Sequence, residues 1–96
     1  KRPFKENDSN LKWQKNAFFN YGKALFEVGE YGEAVKAFNH TFDIVEERRE
    51  SPSKADQFLN RGLARQKAGE TGYISDIKEA AELGSEKAVE LLGALA

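Results

Sequence analysis

Apolar residues recur along this chain at steps of three, four and seven positions, the spacing that places side chains on one face of an α-helix. Five stretches show this spacing, and glycine, serine or proline residues separate them. No stretch alternates between apolar and polar residues as a half-buried β-strand does. The pattern therefore predicts an all-α protein whose five helices cover residues 11–28, 34–50, 55–68, 74–83 and 86–95.

Polar and turn-forming residues mark the expected helix ends. Residues 1–10 are expected to form an N-terminal arm that ends in the capping cluster Asp-Ser-Asn at 8–10. The Ser-Pro-Ser sequence at 51–53 is expected to start the third helix, with the proline in the first turn behind a serine cap. Gly84 is expected to close the fourth helix in the left-handed conformation, and Ser85 to cap the fifth.

The chain repeats itself at an offset of 40 residues. Residues 18–24 then lie over residues 58–64, and six of the thirteen positions in 18–30 are identical to their counterparts. After the next turn the offset is 39, and Phe38 lies over Ile77. We therefore expect two copies of one helix pair, stacked so that each buries the apolar face of the other.

Two small residues occur at matching places in both copies. Gly22 and Gly62 lie in mid-helix, where glycine costs roughly 1 kcal/mol relative to alanine. A glycine at the same place in both copies predicts that the backbone of the paired helix approaches closely there. Ala24 and Ala64 are expected to be small for the same reason.

Other side chains have expected structural roles. Arg61 and Arg65 lie one turn apart, and we expect them to pair with acids such as Asp76 on the next helix. Trp13 is expected to cover the open end of the core. The charged run at 46–50 is expected to form a solvated helix end.

The first copy resembles a tetratricopeptide repeat. The family's motif begins with an aromatic residue and a glycine four positions later, which are Phe18 and Gly22 here. A Gly-Asp/Glu-Tyr turn, an alanine and a second aromatic residue follow, and they correspond to Gly29-Glu30-Tyr31, Ala34 and Phe38. Residues 16–44 match closely. Residues 55–83 match more weakly, with Tyr73 where the family has a small alanine, and 79–93 resemble the junction of Sel1-like repeats. The first copy lacks the family's closing proline, and an extended second helix explains an offset above the usual period of about 34.

The resemblance implies an α-solenoid of two tetratricopeptide-like helix hairpins plus a C-terminal capping helix. The expected organisation is an arm at residues 1–10 followed by a repeat domain at 11–96. Within that domain we expect repeat one at about 16–49, repeat two at about 53–83 and the capping helix at about 85–95.

In this family the first helix of each repeat lines a concave groove that holds a peptide or a partner segment. Transferred to this chain, the resemblance implies a partner-binding groove lined by Asn16, Phe19, Asn20, Lys23, Phe26, Glu27, Asp56, Leu59, Asn60, Leu63, Gln66, Lys67 and Lys87. The four large apolar residues of this set favour an apolar or mixed ligand, and its lysines are suited to a carboxylate. Only Asn60 and Lys87 match the five-residue clamp with which some family members grip acidic chaperone tails, so we do not expect that clamp.

The function expected from this resemblance is a noncatalytic protein–protein interaction module. The alternative is a structural or oligomerisation element, because the apolar groove positions are equally suited to being covered. The candidates for that cover are the N-terminal arm, further repeats of a longer parent protein, or a second copy in a homodimer. The chain starts at Lys1 and holds no methionine, so we expect a processed product or a piece of a longer protein.

Composition limits the other function classes. Fifteen basic and sixteen acidic residues give a net charge of -1, which argues against a nucleic-acid partner. No apolar run reaches the roughly 18 residues of a membrane span, so no membrane partner is expected. Cysteine is absent and His40 is the only histidine, so we expect no metal, no cofactor and a solvent-facing imidazole. The acids are spread along polar faces and no glycine-rich loop follows a strand, so no catalysis is expected.

Overall fold

The computed structural model describes residues 8–44 and 52–95, and the side chains of residues 15–44 and 52–94. This part of the chain contains five helices and no β-strand, so the prediction of an all-α fold is confirmed. The helices are α1 (Asp8–Glu27), α2 (Tyr31–Phe42), α3 (Lys54–Ala68), α4 (Tyr73–Glu82) and α5 (Glu86–Leu95). Most of the expected arm, the side chain of Trp13 and the charged run at 46–50 lie outside the described residues.

Some helix ends differ from those expected. α1 already begins at Asp8, so the residues expected to cap it belong to its first turn. α2 ends at Phe42, with Asp43 as its C-cap, and does not continue to residue 44 as the expected extension required. The N-cap of α3 is Ser53, whose hydroxyl accepts a bond from the Asp56 amide, so the prediction of a proline in the first turn is wrong.

The expected caps around the α4–α5 junction are confirmed. Gly84 follows α4 with φ +105°, the left-handed region that a side chain disfavours. The hydroxyl of Ser85 accepts a bond of 3.1 Å from the amide of Ala88, which satisfies one of the free donors at the start of α5. The chain therefore turns within three residues, and α5 packs directly against α4.

α1 and α2 are antiparallel neighbours. The ring of Phe18 lies 4.2 Å from the ring of His40, while Phe26 near the end of α1 lies 5.2 Å from Tyr31 at the start of α2. Early positions of α1 therefore meet late positions of α2. Because the connection has only three residues, the second helix runs back alongside the first.

The same direction holds at the next interface, between α2 and α3. The amide nitrogen of Gln57 donates a bond of 3.0 Å to the hydroxyl of Thr41, and a guanidinium nitrogen of Arg61 donates one of 2.9 Å to the side-chain oxygen of Asn39. As α3 advances, its contacts move back along α2. α3 and α4 are also packed together across a short turn, so each helix lies against the next one in the chain.

The two repeated glycines mark close helix contacts, but the nearest atoms of the paired helix belong to side chains and not, as predicted, to its backbone. A side-chain carbon added to Gly22 would lie 2.7 Å from ring carbon Cε1 of Phe38 on α2. One added to Gly62 would lie 2.8 Å from Cδ1 of Ile77 on α4. Phe38 and Ile77 are counterparts at the offset of 39, so both helix pairs contain the same contact between a glycine and a large apolar residue.

The core of the described residues forms two clusters along the helix order. The first joins α1, α2 and α3 and contains Phe19, Ala34, Val35, Phe38 and Ala64. The second joins α4 and α5 through Ile77, Ala80 and Ala88, with partly buried residues of α3 packed against it. Ala64 is fully buried, as expected, whereas its counterpart Ala24 is exposed. The prediction for Ala24 is therefore wrong, because no described helix covers that face of α1.

Candidate functional site

A surface cleft of about 590 Å³ lies between the start of α3 and the junction of α4 with α5. It contains three of the residues predicted to line a partner-binding groove, namely Asp56, Leu59 and Lys87. The cleft is lined on one side by Ser53, Lys54, Ala55, Asp56 and Leu59, and on the other by Leu83, Gly84, Ser85, Glu86 and Lys87. Residues about 30 positions apart in the sequence therefore share one surface.

Two helix starts shape the walls of this cleft. Ser53 caps α3 and Ser85 caps α5, each through a hydroxyl that accepts a backbone N–H three residues later. These serine caps fix the first turns of both helices, and the cleft-lining residues belong to those turns or lie next to them. The side-chain amide of Asn60 also donates a bond of 2.8 Å to the backbone oxygen of Asp56. The walls of the cleft are therefore built from the capped starts of α3 and α5 together with the α4–α5 turn at Leu83 and Gly84.

The lining of the cleft is mixed in charge and polarity. Two cations, Lys54 and Lys87, lie in its walls beside two carboxylates, Asp56 and Glu86. Its apolar lining includes Leu83, which is 47% exposed. Such a surface suits a ligand with both an apolar side chain and a charged group.

The groove residues predicted on α1 do not line this cleft. Phe19 is 9% exposed and lies in the first core cluster, with the ammonium group of Lys23 at 5.4 Å from its ring centre. Phe26 is half-buried against Tyr31. The remaining predicted positions on α1 comprise the half-buried Asn16 and the exposed Asn20, Lys23 and Glu27.

The predicted positions beyond the first turns of α3 also lie away from the cleft. Asn60 and Leu63 are half-buried, and Gln66 and Lys67 are exposed near the end of the helix. None of the four lines the cleft. The structure thus brings together Asp56 and Leu59 of α3 with Lys87 of α5, whereas Phe19 lies in the core and the other predicted positions lie elsewhere on α1 and α3.

The residues that sequence reasoning missed are the other members of the two helix starts and the α4–α5 junction. They are Ser53, Lys54, Ala55, Leu83, Gly84, Ser85 and Glu86. A signal for them was present, because Ser53 and Ser85 are both serines that directly precede a helical pattern. Helix starts that share one edge of a stack present their first turns to the same surface.

An ion-pair cluster lies between α3 and α4, and it confirms the predicted pairing of the two arginines. Arg61 donates two bonds to the carboxylate of Asp76, at 2.9 and 2.8 Å, and Arg65 donates a third at 3.1 Å. Sequence reasoning missed that the guanidinium of Arg61 also stacks on Phe42, at 4.3 Å from its ring centre, and contacts Asn39. Because Asp76 is 3% exposed and both arginines share it, the cluster connects helices and offers no vacant cation to a ligand.

In the described part of the chain we find no side-chain arrangement suited to a metal site and no helix suited to a membrane span. His40 is exposed, as expected, and its ring lies 4.2 Å from the ring of Phe18 at an angle of 53°. Across residues 8–44 and 52–95 no group of three or more metal-ligating side chains lies together. Within the same ranges no helix has both the length and the apolar character that crossing a membrane requires.

Comparison of this chain with models of protein families, with curated proteins and with solved structures finds no match. The resemblance to tetratricopeptide repeats therefore stands on the chain's own residues. The family assignment remains a prediction, with which the helix packing described above can be compared.

Proposed function

We propose that this chain is a noncatalytic protein-interaction module of the tetratricopeptide type, which binds a peptide or partner segment in the cleft between α3 and α5. One observation carries the proposal. Three residues predicted for a partner-binding groove, Asp56, Leu59 and Lys87, line a single cleft although they come from two separate helices. A cleft of this size and mixed lining accommodates a few side chains of an extended or helical segment.

The finer architecture that we propose is an α-solenoid of two tetratricopeptide-like hairpins, closed by α5 as a capping helix. It is supported by the antiparallel contacts of successive helices and by the matching contacts of Gly22 with Phe38 and of Gly62 with Ile77. The elongated dimensions of 53 × 26 × 18 Å agree with helices added along one direction.

The cleft favours a ligand segment with an apolar side chain and a neighbouring carboxylate. The apolar side chain would lie over Leu59 and Leu83, which face the cleft from opposite walls. The carboxylate would pair with Lys87, at the start of α5, where the helix dipole also favours negative charge. Asp56 and Glu86 disfavour a ligand with several acidic groups, because like charges would then meet in the same cleft.

The test selects binders from a random peptide library on the immobilised full chain and measures their affinity for variants. Lys87→Glu and Leu83→Ala change exposed cleft residues and should each weaken binding about tenfold or more. Lys78→Glu makes the same charge change on the exposed face of α4, outside the cleft, and should leave binding unchanged. Binders that tolerate both cleft variants, or a selection that yields none, would overturn the proposal.

A second candidate function is a structural or oligomerisation element. One observation favours it, namely an exposed apolar surface that includes Tyr21 of α1, at 56% exposure, and Val28, which directly follows α1, at 72%. Uncovered apolar positions on one helix face are typical of a contact surface.

A further inference from the structure

The cleft between α3 and α5 carries exposed charges of both signs. Its α3 wall contributes Lys54 and Asp56, and the wall at the start of α5 contributes Glu86 and Lys87. Each wall therefore presents one ammonium group and one carboxylate. A ligand that enters the cleft meets both signs of charge on both sides.

Three of these charges have no partner among the residues whose side chains the structure describes. No ion pair within that part of the chain includes Asp56, Glu86 or Lys87. Asp56 bonds to Ser53 and Asn60 only through its backbone amide and backbone oxygen, so its carboxylate is left for a ligand. Because the three side chains are exposed, water solvates them in the free protein, and an oppositely charged ligand group can replace that water.

Lys54 differs from the other three charged residues. Its ammonium group lies 5.4 Å from the ring centre of Phe42, at the end of α2. The aromatic ring already stabilises this cation, so Lys54 gains less from a ligand carboxylate than Lys87 does. Without Lys54, the charges left for a ligand are one ammonium group and two carboxylates.

We propose that the cleft binds a mixed-charge segment of another polypeptide, in which a carboxylate and a basic group flank an apolar side chain. This inference rests on the proposed function and names the class of segment that the cleft accepts. The carboxylate pairs with Lys87, and the apolar side chain lies over Leu59 and Leu83. The basic group, a lysine or an arginine, pairs with Asp56 or Glu86.

Segments of a single charge sign, or without charge, fit this lining less well. A segment with acidic groups only would bring like charges next to Asp56 and Glu86, and a purely basic segment would do the same next to Lys87. A fully apolar segment would remove water from charged groups without replacing it. Only a mixed-charge segment meets each of the three charges with its opposite.

The test compares the peptides that three proteins select from one random library. The first is the wild type, and the second is the double variant Asp56→Asn with Glu86→Gln, which removes both carboxylates from the cleft at nearly constant side-chain shape. The third is the matched control Glu79→Gln with Glu90→Gln, which removes two exposed carboxylates of α4 and α5 outside the cleft. Circular dichroism verifies that both double variants keep the helical content of the wild type.

Peptides selected on the wild type and on the control should carry an acidic and a basic residue around an apolar one. Those selected on Asp56→Asn with Glu86→Gln should keep the acidic residue and lose the enrichment in lysine and arginine. In a single wild-type binder, replacement of the basic residue by glutamine should weaken binding about threefold or more on the wild type and on the control. The same replacement should leave binding to the cleft variant unchanged.

Two results would overturn this inference and leave the proposed function intact. They are binders enriched in acidic residues alone on all three proteins, and a basic residue whose replacement weakens binding equally on all three. A selection that yields no binder would overturn the proposed function together with this inference. The two failures are therefore distinguishable.

Two further measurements detect other occupants of the cleft. A dimer in light scattering that Asp56→Asn with Glu86→Gln dissociates would assign the cleft to a second copy of the chain. Nuclear Overhauser effects from Leu59 or Leu83 to residues of the same chain outside the described ranges would assign it to that segment. Either result would contradict a ligand from another polypeptide, and the absence of both is the expected outcome.

Discussion

The helix pair α1–α2 and the helix pair α3–α4 share one packing scheme but are held by different chemistry. In the first pair the interface is aromatic, with the rings of Phe19 and Phe38 at 5.7 Å. In the second pair three charge-assisted hydrogen bonds join Arg61 and Arg65 to Asp76. At the repeat offsets these three residues correspond to Tyr21, Leu25 and Ala37 of the first pair.

The comparison shows which contact both helix pairs keep and which side chains differ between them. Both pairs keep a glycine against a large apolar residue, because a side chain there would occupy the space of its neighbour. At the three corresponding positions the second pair has an ion-pair cluster, whereas the first pair has Leu25 and Ala37 together with Tyr21, which is 56% exposed. The two solutions should respond differently to mutation, because an ionic cluster is far more sensitive to the loss of one member.

Asp76→Ala should have the largest effect. It removes the carboxylate that both arginines share and leaves two partly buried guanidinium groups without their main partner. Breaking a buried ion pair in this way costs about 3 kcal/mol or more of unfolding free energy. Urea denaturation followed by circular dichroism measures it, and a loss below about 1 kcal/mol would mean that the cluster does not connect α3 to α4.

The matched control copies the chemistry of the first pair into the second. Arg61→Tyr, Arg65→Leu and Asp76→Ala, made together, place the residues of α1–α2 at the equivalent positions. The triple variant leaves no buried charge unpaired, and Glu70, which loses its contact with Arg65, is 47% exposed. It should therefore unfold within about 1 kcal/mol of the wild type. A triple variant as unstable as Asp76→Ala alone would show that the two interfaces are not interchangeable.

Gly22→Ala should have the next largest effect. The new methyl group would lie 2.7 to 3.0 Å from three carbons of the buried Phe38 ring, so the ring or the helix would have to shift. Overpacking should outweigh the gain in helix propensity and lower the unfolding free energy by about 2 kcal/mol. Gly62→Ala should cost less, because its closest neighbour is the terminal methyl of Ile77, which can rotate.

Gly32→Ala is the control for this comparison. Gly32 lies in α2 and has no atom within 4 Å of the position that a side-chain carbon would occupy. Only the helix propensity changes there, so the variant should be more stable than the wild type by about 0.5–1 kcal/mol. Equal effects of the two substitutions in thermal and urea unfolding would mean that Gly22 is not a contact site.

Thr41→Val should have the smallest of these effects, at the interface that joins the two pairs. It removes the hydroxyl that accepts the bond from Gln57 and leaves a buried amide without a partner. The expected loss is about 1 kcal/mol. The double variant Thr41→Val with Gln57→Leu should recover most of it, since the side-chain amide oxygen of Gln57 already lacks a partner. A double variant less stable than the single one would contradict this view of the interface.

Much of the fold could be predicted from the sequence, because it depends on local spacing. The helices followed from steps of three and four, and the close contacts at Gly22 and Gly62 followed from their repetition. Ala24 was mispredicted because the repeat specifies only the residue type at a position. Burial also depends on whether another helix lies beside it, and α1 has no described neighbour on that side.

The candidate site was predictable only in part. The resemblance named Asp56, Leu59 and Lys87, but it placed Phe19 in the same groove, and the ring of Phe19 lies in the core. A family pattern assigns faces of a helix as if every repeat packed identically. Here the two pairs differ in their interfaces, and such differences arise from contacts distant in sequence that spacing does not encode.

Both helix pairs contain the same contact between a glycine and a large apolar residue. Nuclear Overhauser effects in solution measure this contact without any mutation. We expect cross-peaks between the Hα protons of Gly22 and the ring protons of Phe38, and between those of Gly62 and the δ1 methyl of Ile77. A well-dispersed spectrum that lacks either cross-peak would contradict the shared packing of the two pairs.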